Sequence, residues 1–117
     1  MTTSRKTLKK HIGYTCGELA AATLFMRDFM EGVDFAAATK IVGQIADLQS
    51  TTIKQCSFSF DKAQRDFASH REYRAALHAY RKAAYKHICT EFDHKVMEIV
   101  KEMNALMPAD KRKEMLG

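Results

Sequence analysis

Ten apolar residues, Tyr73, Leu77, Tyr80, Ala84, Ile88, Phe92, Val96, Ile99, Met103 and Leu106, recur at steps of three or four along the last part of the chain. That spacing holds them on one stripe of an α-helix, close to the repeat of a coiled-coil seam. A stripe sustained from about 72 to 107 predicts a helix of ~54 Å at 1.5 Å per residue. Pro108 stops it, because proline has no N–H to continue the ladder. Residues 108–117 are then a polar tail or a short helix. Any fold for this chain must cover one side of so long a rod, and its ends call for a further partner.

Two shorter helical patterns precede it. Thr3 or Ser4 can cap a helix whose apolar positions are Leu8, Ile12, Thr15/Cys16, Leu19, Thr23, Met26 and Met30, ending at Gly32. Asp34 can cap a second, from about 35 to 56, with Ala38, Ile41, Ile45, Leu48, Thr52 and Cys56 on one face. In "SFSFD", Phe60 and Asp61 resemble a staple residue and the next N-cap, which predicts a short helix near 62–68 before a break at Ser69 and His70. With 117 residues, one proline and no alternating β-branched run, the chain is expected to be a single all-α domain spanning 1–117. Three long helices plus one or two short ones, the last longest, pack most simply as an antiparallel helical bundle. The expected core is Leu8, Ile12, Leu19, Ile41, Ile45, Leu48, Leu77, Ile88, Phe92, Val96 and Ile99.

The segment "HIGYTCGELAA" sets a different question. Each glycine inside a helix costs about 1 kcal/mol against alanine, yet Gly13 and Gly17 both lie in the first one. With Ala20, Ala21 and Leu24 they form a flank beside the Ile12 stripe at 100° per residue. A Gly-x-x-x-Gly strip lets another backbone come close. The strip is expected to serve either a tight crossing within the chain or a homodimer contact.

"YTCGEL", Tyr14 to Leu19, resembles the near-N-terminal motif of a family of small uncharacterised all-helical proteins from Bacteroidales. The turn from Gly32 to Asp34 and the long charged last helix are similar too. The resemblance implies an all-helical fold in a bacterial cytoplasm. That family has no assigned activity, so no functional residues carry over.

Catalysis and metal binding find little support in the residue pattern. Cys16, Cys56 and Cys89 are odd in number and form no CxxC pair, which fits reduced thiols in a cytoplasm better than a disulfide framework. No cysteine has a base and oxyanion donor in view, and phosphate loops and Ser-His-Asp signatures are missing from the sequence. In "HICTEFDH", His87, Glu91 and His94 share one helical face, and Glu91 with His94 has the Glu-x-x-His spacing of di-iron bundles. No second copy accompanies it: Glu18 is followed by Ala21, Glu31 by Asp34 and Glu72 by Ala75. The simpler expectation is a solvated face on which Glu91 pairs with Lys95, with no metal or cofactor.

Charge offers more. The formal net charge is +5. Arg71, Arg74, His78, Arg81, Lys82 and Lys86 make a basic stripe on the first half of the last helix, joined by a cluster of Arg5, Lys6, Lys9 and Lys10. Such a surface suits nonspecific contact with phosphates. No apolar stretch of ~18 residues exists to span a membrane, and the charged N-terminal segment leads into no apolar signal-like region. The sequence therefore leads to a cytoplasmic helical interaction or structural module, homodimeric, without catalytic activity and open to a protein partner. The alternative is a nucleic-acid or polyanion binder using the basic stripe.

Overall fold

A computed structural model describes residues 4–108. Among them there are three α-helices and no β-strand: α1 Arg5–Phe29, α2 Phe35–Gln55 and α3 His70–Leu106. The tail from 109 onward, with its expected polar or helical character, lies outside the described residues.

Capping chemistry sets where each helix starts. The Ser4 hydroxyl accepts from the Thr7 N–H at 3.1 Å, Asp34 accepts from the Ala36 and Ala37 N–H groups at 3.0 and 3.3 Å, and Ser69 accepts from the Glu72 N–H at 3.1 Å. Each side chain satisfies donors that the first helical turn leaves open. α1 ends at Phe29, three residues before the expected Gly32. Gly32 instead makes the turn, with a φ of +84° that favours glycine. A Cβ there would also stand 3.0 Å from Pro108 Cγ, so Gly32 is fixed both by its backbone and by the chain that passes beside it.

The core draws on all three helices. Leu8, Ile12 and Cys16 from α1 meet Ile41, Ile45 and Leu48 from α2 and Ile88, Phe92, Ile99 and Met103 from α3, with Cys56 closing the end of α2. Leu19 and Val96, expected in the core, are half-buried against it. Leu77 is also half-buried, for a reason given below. The ring of His11 approaches Phe92 edge-on at 6.3 Å, and Pro108 lies by Gly32. The first turns of α1 therefore face the middle of α3, and the turn between α1 and α2 faces its end.

α3 is too long for its partners. At 37 residues it exceeds α1 at 25 and α2 at 21. Its first half extends beyond them, and the molecule measures 65 × 26 × 17 Å. The radius of gyration is 19.4 Å, against roughly 13 Å for a compact domain of this length.

The overhang is covered by residues 57–69, although not as a helix. Only Gln64–Asp66 forms a single 3-10 turn, so the short helix expected over 62–68 is absent and Asp61 caps nothing there. Asp66 accepts from the Ala63 N–H at 2.8 Å and closes the turn early. A seven-residue helix has little to offset its nucleation cost, and the rings of this segment find better use on α3. Phe58 packs on Tyr80 and Tyr85 at 5.8 and 5.1 Å, Phe60 on Tyr80 at 5.0 Å, and Phe67 on Tyr73 at 5.7 Å. The Tyr80 hydroxyl donates to the Ser59 carbonyl at 3.1 Å. Tyr73, Leu77 and Tyr80 remain half-buried because an extended segment covers less of a helix than another helix does.

Phe92→Ala should cost about 3–5 kcal/mol in urea unfolding, whereas Phe60→Ala, removing a half-buried ring from the overhang, should cost about 1–2 kcal/mol. Equal losses at the two sites would show that the aromatic cover is as much core as the three-helix region.

Candidate interaction surfaces

The inner side of α1 is buried through Leu8, Ile12, Cys16, Thr23 and Met26. The Thr23 hydroxyl donates to the Leu19 carbonyl at 2.8 Å, which lets a polar residue lie in the core without an unpaired donor. The outer side is apolar as well. Between Ile12 and Met26 the only charged residue is Glu18. Tyr14 is 73% exposed, Phe25 58% and Phe29 74%, with Phe25 and Phe29 ring to ring at 5.1 Å. Across the turn, Phe35 is 61% exposed beneath the Arg27 guanidinium, 4.5 Å from the ring centre. Phe25, Phe29 and Phe35 thus gather at the α1–α2 turn, more than the scattered apolar residues that ordinary surfaces carry, while Tyr14 lies in the N-terminal half of α1.

The glycine strip belongs to this outer side. Among the described residues, no atom lies within 4 Å of where a Cβ on Gly13 or Gly17 would sit. Among the described residues the expected tight crossing does not form at the two glycines: α2 and α3 cover the Ile12 stripe, and of the strip Ala20 packs against the core. Gly17 and Ala21 are exposed, while Gly13, Ala20 and Leu24 are intermediate. The sequence pattern pointed to the small residues. It did not single out Tyr14, Phe25 and Phe29, whose exposure depends on which side of α1 the other helices take.

The basic residues gather at the opposite end from the α1–α2 turn. Arg71, Arg74, His78, Arg81, Lys82 and Lys86 are all exposed on the overhang of α3. Arg5 joins them through Phe58: its guanidinium donates to the Phe58 carbonyl at 2.8 Å and lies 5.3 Å from that ring, which in turn touches Tyr80 and Tyr85. Arg5, Lys6, Lys9 and Lys10 also line a shallow open depression. Residues 4–10 and 54–86 together hold twelve Lys and Arg against three Asp and Glu, and the rest of the described chain holds four against nine. The net charge of +5 thus conceals a molecule basic at one end and acidic over the remainder.

The histidine motif does not gather ligands. His87, Glu91 and His94 are exposed, and no group of three or more His, Cys, Asp or Glu side chains among the described residues is placed to hold a metal. His94 Nε2 lies 3.1 Å from a Glu98 carboxylate oxygen one turn on. The side-chain contact on this face is therefore His94 with Glu98 rather than the expected Glu91 with Lys95. Both partners are well exposed, so the pair adds little to stability.

The three thiols are free, with Cys16 and Cys56 buried and Cys89 intermediate. Burial pushes the Cys16 thiol above its ordinary value near 9.0. Burial does the same at Cys56, helped by Cys89 and opposed by Lys9 and Arg5, and at Cys89, helped by Asp93. Nucleophilic catalysis needs the reverse shift.

A thiol held protonated by the fold contributes stability that is complete below the unfolded value and is lost as pH rises through the higher folded one. At pH 8 the native thiols should therefore react with iodoacetamide far more slowly than those of the urea-unfolded chain, and stability should fall as pH rises past about 9. A native thiol that alkylates as fast as the unfolded one would reveal an activated cysteine.

Compared with protein-family models, curated proteins and solved structures, the chain matches none. Its function has to be read from its own surface chemistry.

Proposed function

We propose that this chain is a small helical interaction module without catalytic activity, its three long helices packed as an antiparallel bundle, that works as a homodimer in a bacterial cytoplasm. The observation that carries this is the outer side of α1, where the open glycines lie beside the exposed ring of Tyr14. Two interior glycines weaken the isolated helix, and no described residue comes close against them. Their cost is offset if a second backbone comes close against them. Among the described residues no helix is long and apolar enough to cross a membrane.

Gly17→Leu separates the possibilities. It raises helix propensity at an open position, so the single chain should hold or gain stability, while the added side chain blocks close approach. Light scattering should give twice the 13.3 kDa chain mass for the unmodified protein and the chain mass for the variant, which stays folded. An unmodified protein that is monomeric at every concentration would overturn the homodimer.

A second function, binding of nucleic acid through its phosphates, is favoured by the charge segregation. The cluster from Arg5 to Lys10 sits in the first turns of α1, where no acidic residue balances the positive end of the helix dipole. Such a placement costs stability and suits an anion. Tyr73, Tyr80 and Tyr85 are occupied by the phenylalanine cover, so stacking on single-stranded bases is disfavoured. Duplex binding should be sequence-independent and fall steeply with salt, and replacing Arg74 and Arg81 by Ala should lower the log–log salt slope by about 2. Duplex DNA that shows no binding at low salt would remove this function.

A further inference from the structure

Resting on the homodimer proposed above, we infer that two copies pair α1 against α1 in opposite directions, with Lys10 of each copy facing Asp28 of the other. Lys10, Tyr14, Gly17, Ala21, Leu24 and Asp28 recur at steps of four, three, four, three and four along α1. This is a second coiled-coil-like seam, on the side away from the core. Leu24 is half-buried and the other five are exposed. The small residues lie in the centre, larger apolar ones one turn outward on each side, and charges of opposite sign at the two ends.

Such a seam is complementary to itself only when reversed. A two-fold axis across the middle of the helix sets Gly17 against Ala21, Tyr14 against Leu24 and Lys10 against Asp28, the mutual arrangement that a symmetric dimer requires. Small side chains at the centre let the backbones approach, and Tyr14 fills the space beside Leu24. Run in parallel, the same helices would set Lys10 on Lys10 and Asp28 on Asp28, with like charges in repulsion. The reversed direction also brings Arg5, Lys6 and Lys9 of one copy towards the α1–α2 turn of the other, where Glu31 and Asp34 lie. Asp28 already accepts from Arg27 Nε at 2.9 Å within its own chain. A carboxylate has the capacity to accept from a second cation.

The test compares the unmodified chain with Lys10→Glu, Asp28→Lys and the two combined, by sedimentation equilibrium at low salt. All three changes fall on exposed positions, and far-UV circular dichroism should confirm unchanged helicity. Each single reversal replaces two attractive contacts per dimer by repulsive ones and should weaken dimerisation about tenfold or more. The combined variant should regain most of the lost affinity. A zero-length carbodiimide should also join Lys10 to Asp28; the two are about 27 Å apart along one helix, so that bond can form only between copies. A chain that never dimerises overturns both the homodimer and the pairing. A dimer indifferent to the reversals, or one that the combined variant fails to restore, retains self-association and overturns the opposed α1 contact.

Discussion

A helix of 37 residues laid beside helices of 25 and 21 leaves a dozen or more residues, roughly 18–24 Å of α3, without a helical neighbour. Much of the molecule follows from that mismatch. The stripe on α3 continues into the overhang as Tyr73, Leu77 and Tyr80, so some apolar cover is needed there. The connection from α2 provides it with Phe58, Phe60 and Phe67, in ring contacts that contribute about 0.5–1.5 kcal/mol each beyond simple burial. Covering the overhang from one side leaves its other side to water. The basic stripe occupies that side, and the fold thereby carries its positive charge out to one end.

α1 stands under the opposite constraint: it has two apolar sides and only one is used within the chain. Its buried side is ordinary core, with Leu8, Ile12 and Cys16 against α2 and α3. Its outer side keeps glycines and alanines near the middle and large rings toward the turn. An apolar helix side exposed to water stabilises nothing until it is covered. The homodimer proposed here gives that side a function and explains why small residues, rather than charged ones, occupy it.

Charge then links the two features. Arg5 reaches from α1 across Phe58 to the aromatic cover of α3, so the N-terminal cluster and the α3 stripe form one basic region. The acidic residues lie along the remainder. A molecule with separated charge of this kind orients a like molecule in reverse and a polyanion at one end. Protein pairing and phosphate contact would share Lys10, while the α3 stripe stays outside the α1 seam.

Periodicity and caps by themselves determined the helices. Ser4 and Asp34 are hydroxyl or carboxylate groups at the start of apolar repeats, and their hydrogen bonds to the first turn are local, so they are legible in the residue order, whereas Ser69, read only as a break, proves to be the cap of α3. The buried positions Ile12, Ile45, Ile88 and Phe92 were legible for the same reason, since helical pitch alone puts them on one stripe. Only the tertiary structure decided what required knowledge of distant neighbours. The segment from 57 to 69 has a helix-like pattern, but its rings lie on Tyr73, Tyr80 and Tyr85 of α3 instead of forming a helix face, with Phe60 and Phe67 also stacked at 6.3 Å. The open state of Gly13 and Gly17 depended on which side of α1 the other helices chose, because a glycine strip looks the same whether its partner lies in the chain or outside it. The joining of Arg5 to the α3 stripe was likewise invisible in the sequence, since 53 residues separate Arg5 from the Phe58 carbonyl that holds it.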